Sequence, residues 1–565
     1  MKGGAAFTLN VSPCPEGVNG TDIGHYLYLT GLPGAAESVL ITGGTCTSGR
    51  PVGTIVFTPA NNHLGQWTLQ SASGGLQETL QSISAGSVGA KVLITVNTYL
   101  HARVTIPLNG LKPAFTIEGQ GHDGAPAIIR ATDYPAGDLI YLDESLGGSG
   151  SLTVRNIWIF NSGPYGSPVN TGGAAIHIKG NTMGTILIEN NAIDNGYRGI
   201  EIESSWFVTV RNNLILNSAG FAAVLPSDTG IYLHDTGGVR SCVAVIKDNG
   251  ILGGAPISAN ATEYGIRVDA ADGVEIAGNG IAQIKTGILL NAWSGKNIGA
   301  VQIHDNVLDT FQVRAIYLWG GAGAGNIGNV SIRNNHISTR ADIYPAVASL
   351  SNIEIASLTP VAQIAIQDNV IFSSQQTGLY IGGATADLKH LLVDGNIFAD
   401  NNRSNTASQS CIAIASVIST NFDIKNNLCY NTAAGHQKYG LYAGAGLTAA
   451  KWNVSNNSFN DMETAPVLLS TIPAGLVAGF NLGIDNVIPP VASGATITAP
   501  MNPIIEVTGV ITITTMNGGW TGCEKTLIFT NAAPGGVGGG GNIPRVQAAA
   551  QNQAIVLRYN GANWY

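Results

Sequence analysis

Acidic side chains and a histidine that could carry out acid–base chemistry occur between residues 201 and 269: Glu201, Glu203, His234, Asp235 and Asp269. Two carboxyl groups held about 5 to 9.5 Å apart can cleave a glycosidic bond, one as proton donor and the other as base or nucleophile. Glu201 and Glu203 are two residues apart, which is about 6.6 Å along an extended strand. These residues are therefore compatible with acid–base chemistry by a pair of carboxyl groups.

We expect Glu203 and Asp269 to be the catalytic pair, with Glu201 and Asp235 as alternatives and His234 controlling the protonation of one acid. One carboxyl group must keep its proton near neutral pH while the other loses it, so the two must lie in unlike surroundings. If the two acids lie two strand spacings apart, their backbones are separated by about 9.6 Å. Side chains that lean together would then reach the separation of an inverting glycoside hydrolase.

Side chains that could hold a sugar accompany these acids. Aromatic rings offer flat apolar faces with a polar edge, and basic or amide groups can bond to hydroxyl groups. The expected substrate-binding residues are His177, Lys179, Tyr232, Arg267, Asn291, Trp293, Tyr317 and Trp319.

A recurring motif places most of these residues: a small residue followed by an apolar, a variable and an apolar position, as in Gly199-Ile200-Glu201-Ile202. Its period of two predicts strands that bury one face. The variable positions should then point outward in two columns, one with His177, Glu201, Tyr232 and Arg267, the other with Lys179, Glu203, His234 and Asp269. Charged and aromatic residues crowd these columns between 176 and 319, which favours a local site over ordinary surface.

A second motif alternates with the first: an apolar residue, two variable positions and an asparagine. Its asparagines are Asn191, Asn213, Asn249, Asn279, Asn306, Asn335, Asn369, Asn396, Asn427 and Asn457. Their mean spacing of about 30 residues lies in the range of solenoid repeats. Strands that recur once per coil stack in parallel, and buried asparagines at equivalent turns can bond to the next coil. We therefore expect these asparagines to be architectural.

The connections that lead from this turn to the first motif differ in length, and long loops could wall a cleft. The longest are 214–230, 250–265, 336–352 and 397–411.

The two motifs resemble the pectate-lyase-like superfamily of right-handed parallel β-helices, which includes pectinases, alginate epimerases and bacteriophage tailspikes. Gly75 to Ile83 spaces apolar residues for a short helix, and in this superfamily such a helix caps the N-terminal end of the solenoid. The resemblance implies a groove on the outer face of one parallel sheet. It does not imply one reaction, because the superfamily contains hydrolases, lyases, epimerases and non-enzymes.

Three domains follow from this reading: a small β module over 1–70, a parallel β-helix with its capping helix over 71–486, and a β-rich module over 487–565. The predicted fold is thus an all-β, right-handed parallel β-helix solenoid with small β-rich terminal modules. The ending, Tyr559 to Tyr565, resembles terminal modules of phage tail proteins, which implies a homotrimer.

Composition excludes other classes. Charged residues are 11% of the 565 residues, hydrophobic residues 44%, and the formal net charge is −9. This balance gives no basic patch for nucleic acid, and no long apolar run predicts membrane insertion. The six cysteines form no zinc-binding spacing, although Cys14 and Cys46 could make one bridge. An extracellular or virion-associated protein is expected, although the sequence shows no signal peptide.

Three functions remain open. A glycoside hydrolase is favoured because acids outnumber bases on the predicted columns. The alternative is a lyase or epimerase on a uronate polymer, in which His234 or Tyr232 handles the proton and Arg267 or Lys179 neutralises the carboxylate. The third is a non-catalytic tailspike or adhesin. No cofactor or metal ion is expected, except Ca²⁺ if the protein is a lyase.

Overall fold

The structure is a computed structural model of the chain. It describes residues 1–12, 26–31, 35–45, 52–82, 88–95, 97–106, 114–120, 127–131, 137–143, 151–160, 172–180, 184–194, 197–216, 228–235, 241–253, 262–292, 295–320, 325–339, 351–356, 361–405, 409–432, 436–444, 448–470, 476–484 and 488–565. The chain divides into two compact units, residues 1–289 and residues 290–565.

Unit 1 begins with an antiparallel sheet in the order β1-β4-β3-β2-β5. Its core contains Leu29, Ile55 and Phe57, which are almost completely buried. The strands are β1 (Phe7–Val11), β2 (Tyr26–Gly31), β3 (Glu37–Gly44), β4 (Gly53–Phe57) and β5 (Trp67–Ser71).

A short helix, α1 (Leu76–Ser82), follows at the position that the apolar spacing predicts. Gln77 donates from Nε2 to the carbonyl oxygen of Thr105 at 2.7 Å, and Gln77 Oε1 accepts from the amide of Thr105 at 2.6 Å. Thr105 lies on an early strand of the solenoid. The helix therefore satisfies backbone groups at a strand edge that could otherwise pair with another chain.

The rest of unit 1 is built of stacked coils. Most strands pair in parallel with the third strand after them, so each coil contributes one strand to each of three parallel sheets. The strands are β6 (Val88–Ile94), β7 (Thr98–Leu100), β8 (Val104–Ile106), β9 (Ala114–Gly119), β10 (Ala127–Ala131), β11 (Ile140–Asp143), β12 (Ser151–Arg155), β13 (Ile157–Phe160), β14 (Ala174–Lys179), β15 (Ile186–Glu189), β16 (Ala192–Asp194), β17 (Arg198–Glu203), β18 (Trp206–Arg211), β19 (Leu214–Leu216), β20 (Thr229–His234), β21 (Ser241–Lys247), β22 (Gly250–Leu252), β23 (Tyr264–Val268), β24 (Ala271–Ala277) and β25 (Gly280–Asn291), whose last two residues belong to unit 2.

One of these sheets, here called the site sheet, consists of β8, β11, β14, β17, β20 and β23. Its inward side chains, such as Ile176, Ile200 and Ile231, are completely buried. The small residue of the first motif is required by the stacking. A Cβ atom added to Gly230 would lie 2.7 Å from the carbonyl oxygen of Gly265 on the next coil.

The predicted asparagine ladder is present in both units. In unit 1, Asn191 donates from its backbone amide and from Nδ2 to Asn213 Oδ1, both at 3.0 Å, and from Nδ2 to the carbonyl oxygen of Val154. Asn213 and Asn249 repeat this pattern. In unit 2 the ladder runs from Asn306 to Asn457 and continues one step beyond the sequence prediction, to Asn481. The architectural role of these asparagines is confirmed.

Each ladder asparagine follows a residue with positive φ, such as Asn190 (55°), Asp248 (56°) and Gly278 (64°). This left-handed conformation favours glycine, asparagine and aspartate, since their side chains are absent or short and polar. The preceding residue is therefore Asn, Asp or Gly throughout the ladder except at Phe480. The sequence analysis missed this part of the repeat.

Unit 2 contains further parallel coils. Their strands are β26 (Val301–His304), β27 (Val307–Trp319), β28 (Ile327–Arg333), β29 (His336–Ser338), β30 (Ile353–Ala356), β31 (Val361–Gln367), β32 (Val370–Phe372), β33 (Leu379–Asp394), β34 (Ile397–Ala399), β35 (Ser410–Lys425), β36 (Leu428–Tyr430), β37 (Tyr439–Ala443), β38 (Thr448–Ser455), β39 (Ser458–Phe459), β40 (Ala465–Leu469) and β41 (Leu476–Gly479).

A smaller module ends unit 2, with a four-stranded sheet in the order β42-β44-β46-β47 and a two-stranded sheet of β43 and β45. Its core includes Trp564, which donates from Nε1 to the carbonyl oxygen of Met516 at 2.8 Å. The strands are β42 (Pro490–Ala492), β43 (Thr496–Thr498), β44 (Ile504–Thr508), β45 (Thr515–Asn517), β46 (Glu524–Phe529) and β47 (Gln553–Arg558).

These pairings confirm the predicted all-β parallel β-helix. The three domain boundaries stay predictions.

Cys411, Cys429 and Cys523 are buried free thiols, whereas Cys14 and Cys46 lie outside the described residues. In the part of the chain that the structure describes, no helix is both long and apolar enough to cross a membrane.

The ladder predicts a specific stability effect. Asn369→Ala removes the side chain that accepts from the Asn335 amide and donates to the carbonyl oxygen of Ile332, so buried backbone groups lose their partners. We expect a loss of about 3 kcal/mol in the free energy of unfolding, measured by denaturant titration. Asn329→Ala, at an exposed strand position, is the matched control and should change stability little. Equal effects of the two substitutions would contradict a buried ladder.

Candidate functional site

The outward side chains of the site sheet form the two predicted columns. The pairing places His177 beside Glu201, Glu201 beside Tyr232, and Tyr232 beside Arg267. It also places Lys179 beside Glu203 and Glu203 beside His234. Asp269 directly follows β23, where its backbone amide donates to the carbonyl oxygen of Leu233. The register of the coils therefore brings together residues that are far apart in sequence.

We call this group the charged strip; its members are Asp138, Tyr141, Asp143, His177, Lys179, Arg198, Glu201, Glu203, Asp228, Tyr232, His234, Arg267 and Asp269. Although the columns point away from the core, the side chains of Glu201 and Glu203 are only 6% and 8% exposed. Removing a charge from water is costly unless the charge is paired. The strip must therefore be held by its own ion pairs.

His177 occupies the centre of one such set of contacts. Its Nδ1 lies 2.9 Å from Asp138 Oδ2, and its Nε2 lies 3.1 Å from Glu203 Oε2. The other oxygen of Glu203, Oε1, lies 3.2 Å from Lys179 Nζ. The imidazole ring is thus held between carboxylates of two different coils.

Glu201 is held by a second set. Arg198 donates from one terminal nitrogen to both oxygens of Glu201, each at 2.9 Å, and from Nε to Asp228 at 3.0 Å. His234 Nε2 lies 2.8 Å from Glu201 Oε1. The guanidinium group therefore fixes the carboxylate, and the carboxylate in turn orients His234.

Asp269 is held by a third set. Arg267 donates from Nε and a terminal nitrogen to its two oxygens at 2.8 and 2.7 Å, and the hydroxyl of Tyr232 donates to it at 2.7 Å. The Tyr232 ring stacks on His234 with centroids 4.4 Å apart. Tyr232 thereby connects the second and third sets.

These surroundings shift several pKa values. Burial by itself would lower the pKa of His177, but hydrogen bonds with Asp138 and Glu203 raise it to about 9. Burial would raise the pKa of Glu201, but His234, His177 and Arg198 lower it to about 2. Burial and the adjacent Asp269 raise the pKa of Tyr232. Strongly shifted groups in one place are typical of functional sites.

Most of the predicted site residues meet in this strip. Glu203, Asp269, Glu201 and His234 lie in it, together with His177, Lys179, Tyr232 and Arg267. Asp235 follows the end of β20 and belongs to neither column. The roles assigned to all of these residues stay predictions.

The other predicted binding residues lie elsewhere in the chain. Asn291, Tyr317 and Trp319 belong to unit 2. There the rings of Tyr317 and Trp319 stack with centroids 6.2 Å apart, and the Arg314 guanidinium lies 4.1 Å from the Tyr317 ring centroid. Trp293 lies outside the described residues.

The sequence analysis missed five members of the strip: Asp138, Tyr141, Asp143, Arg198 and Asp228. Tyr141 and Asp143 belong to an earlier coil than the predicted residues. A signal for that coil existed, because Ile140-Tyr141-Leu142-Asp143 has the same alternation as Ile176-His177-Ile178-Lys179, with which it pairs. Arg198 carried no such signal, because it lies outside the two columns, three residues before Glu201 on the same strand, and its other partner, Asp228, belongs to the next coil.

Metal-ligating side chains are also close together in the strip. There are two groups of three side chains, and within each group the possible ligand atoms all lie within 4.8 Å of one another. One group is His177, Glu203 and His234, and the other is Asp138, His177 and Glu201. Both groups use His177. The sequence analysis expected no such site.

A family model described as periplasmic copper-binding protein NosD matches residues 150–315. No curated protein matches the chain. The strand pairings themselves confirm the resemblance at the level of the fold, that of a parallel β-helix.

Several solved structures are similar to the chain. The A-module of mannuronan C-5 epimerase AlgE4 from Azotobacter vinelandii is 11% identical, with 69% of this chain and 91% of that chain covered and a TM-score of 0.40. A tailspike of Escherichia coli bacteriophage HK620 is 12% identical, with coverage of 73% and 74% and a TM-score of 0.42. DFA-IIIase from Arthrobacter chlorophenolicus A6 is 12% identical, with coverage of 65% and 84% and a TM-score of 0.34.

The shifted pKa values predict how stability depends on pH. The folded pKa of His177, about 9, exceeds its ordinary value of 6.5, so its stabilising contribution is complete below pH 6.5 and is lost as the pH rises to about 9. The folded pKa of Glu201, about 2, lies below 4.5, so its contribution is complete above pH 4.5 and is lost as the pH falls to about 2. In metal-free buffer, the melting temperature should fall in both ranges.

His177→Gln tests the alkaline range. The variant should lose less stability than the wild type between pH 6.5 and 9, whatever its stability at neutral pH, because glutamine has no proton to release. The measurement is the melting temperature as a function of pH. Parallel curves for the two proteins would show that His177 is not the group that titrates.

Proposed function

We propose that the protein binds an acidic polysaccharide along the charged strip and processes it by proton transfer next to a sugar carboxylate. The observation that carries this proposal is the arrangement of charge in the strip. Buried, mutually paired charges occupy the outward face of consecutive coils, where a structural surface needs none. Such a group is typical of a site whose chemistry depends on fixed charges.

The more exposed side chains of the strip are cations, which favours an anionic ligand. The side chains of Lys179, Arg198 and Arg267 are 22% to 28% exposed, whereas their partners Glu201, Glu203 and Asp269 are 6% to 11% exposed. The acids therefore lie beneath the bases, and a ligand would meet positive charge first. A uronate residue offers a carboxylate for these cations and hydroxyl groups for the neighbouring polar side chains.

The same arrangement favours elimination or C-5 epimerisation. A cation that pairs with the sugar carboxylate stabilises the negative charge that develops when the adjacent proton is removed. Lys179 and Arg267 could provide this charge, and His234 and Tyr232 could transfer protons. The raised pKa of Tyr232 suits a proton donor, since the hydroxyl keeps its proton at neutral pH.

Hydrolysis is the second candidate because Glu203 and Asp269, the pair expected from the sequence, both lie in the strip. Hydrolysis needs one carboxyl group that keeps its proton. Glu203 instead lies against His177 and Lys179, and Asp269 accepts hydrogen bonds from Arg267 and Tyr232. Both carboxyl groups are thus already engaged by cations and hydrogen-bond donors, so proton transfer on a uronate is the better supported reaction. The homotrimer and the extracellular or virion-associated location stay predictions.

A panel of polysaccharides tests the function. We expect activity on a uronate polymer but not on neutral polymers, seen as ultraviolet absorbance of unsaturated uronates or as solvent deuterium incorporated at C-5. New reducing ends without either signal would indicate hydrolysis. Binding without any product on a broad panel would indicate a tailspike or adhesin.

Lys179→Gln tests the role of the exposed cations. Loss of the charge should lower kcat/KM on the uronate polymer about 10- to 100-fold, in the range of a charge-assisted contact, while the fold is retained. Lys451→Gln, at an exposed position in unit 2, is the matched control and should keep wild-type activity. Equal activity of the two variants on a confirmed substrate would place the binding site elsewhere.

A further inference from the structure

His177, Glu203 and His234 lie on three consecutive strands of the site sheet, β14, β17 and β20. Their possible ligand atoms all lie within 4.8 Å of one another. One pair, His177 Nε2 and Glu203 Oε2, is 3.1 Å apart, close to the separation of about 3.3 Å between two ligands of a tetrahedral zinc ion. The rigid stack of coils, rather than a loop, thus positions all three groups.

The donor set points to a transition metal. Two imidazole nitrogens and one carboxylate oxygen, with a further position left for water or substrate, are the ligands of many catalytic zinc sites. Ca²⁺ instead prefers six to eight oxygen ligands. The His234 side chain is 17% exposed, which leaves an approach from solvent on that side.

The surrounding contacts are those that hold metal ligands in place. A ligating histidine commonly donates its other ring N–H to a carboxylate, which fixes the orientation of the ring. His177 has this arrangement, with Nδ1 against Asp138 and Nε2 towards Glu203. Lys179 contacts Oε1 of Glu203, so Oε2 is the oxygen on the side of His177.

The charge balance also favours a cation. Among the described residues of these contacts, four carboxylates, those of Asp138, Glu201, Glu203 and Asp228, are paired with two permanent cations, Lys179 and Arg198. Metal ligation requires neutral imidazoles, so in the metal-bound state these contacts carry a formal excess of two negative charges. One divalent ion would neutralise it.

We propose that His177, Glu203 and His234 bind one divalent transition-metal ion of the zinc class, with Asp138 as the positioning residue for His177. This site goes beyond the proposed function and does not depend on it, because it requires no sugar. An ion here would lie in the charged strip and could act as a Lewis acid towards a bound carboxylate.

Metal binding to the full-length protein tests the site without any substrate. After treatment with a chelator and dialysis, the protein is titrated with Zn²⁺ by calorimetry, and bound metal is counted by elemental analysis. We expect one equivalent per chain and a higher melting temperature with Zn²⁺, because an ion that binds only the folded state stabilises it. Ca²⁺ should not compete. Absence of Zn²⁺ binding, or a preference for Ca²⁺, would overturn the proposal.

Variants locate the ion. His234→Ala should abolish binding of the single equivalent, and Asp138→Asn should weaken it about 10- to 100-fold, as expected for an outer-sphere partner. Glu203→Gln keeps the shape of the side chain and should also weaken binding, which covers the case in which His234→Ala does not fold. His390→Ala and Glu354→Gln, in unit 2, are matched controls and should bind Zn²⁺ normally. Unchanged affinity in folded His234→Ala or Glu203→Gln would refute the site. A wild-type protein that binds Zn²⁺ but acts on no uronate polymer would count against the proposed function alone.

Discussion

The structure depends on the fixed register between one coil and the next. In the ladder, each buried asparagine accepts from the backbone and side-chain amides of the previous asparagine and donates to a backbone carbonyl group. A buried amide without partners is costly, so a coil shifted by one residue would leave a whole column of them unsatisfied. The ladder therefore stabilises the stack and also selects a single alignment of the strands. A left-handed residue before each asparagine turns the chain at the same point of every coil.

This register creates the candidate site. Glu201 and Tyr232 are 31 positions apart in the sequence, yet they are direct neighbours on adjacent strands. In a parallel sheet such neighbours are separated by about 4.8 Å, and that spacing allows His177 to reach carboxylates of the coils on either side. No mobile loop is needed to assemble these groups. A site built on stacked strands is held more precisely than one built on loops, which suits chemistry that depends on distances of a few tenths of an ångström.

Charge in the strip is layered. Carboxylates lie low against the sheet, and the bases that neutralise them are more exposed. Each base therefore has two uses, because it stabilises a buried acid and presents a positive end to solvent. This arrangement favours an acidic ligand, whereas the numbers of acids and bases alone would not, because those numbers ignore how deeply each group is buried. Both proposals depend on this layering, because a sugar carboxylate would meet the exposed bases and a metal ion would meet the buried acids.

The sequence by itself determined the fold and the outward columns. Alternation with period two fixes which side of a strand is buried, and the repeat of asparagines fixes where each coil turns, so both can be read locally. The sequence also placed His177, Glu201, Glu203 and His234 in the correct columns. Only the tertiary structure decided their partners. Whether Arg198 contacts Glu201 and Asp138 contacts His177 depends on how deeply each side chain is buried, which rotamer it adopts and how the neighbouring coils are placed. None of these properties produces a periodic pattern in the sequence. The preferred proposal changed for the same reason: the sequence shows how many carboxylates the strip contains, but not which cations and hydrogen-bond donors engage them in the folded protein.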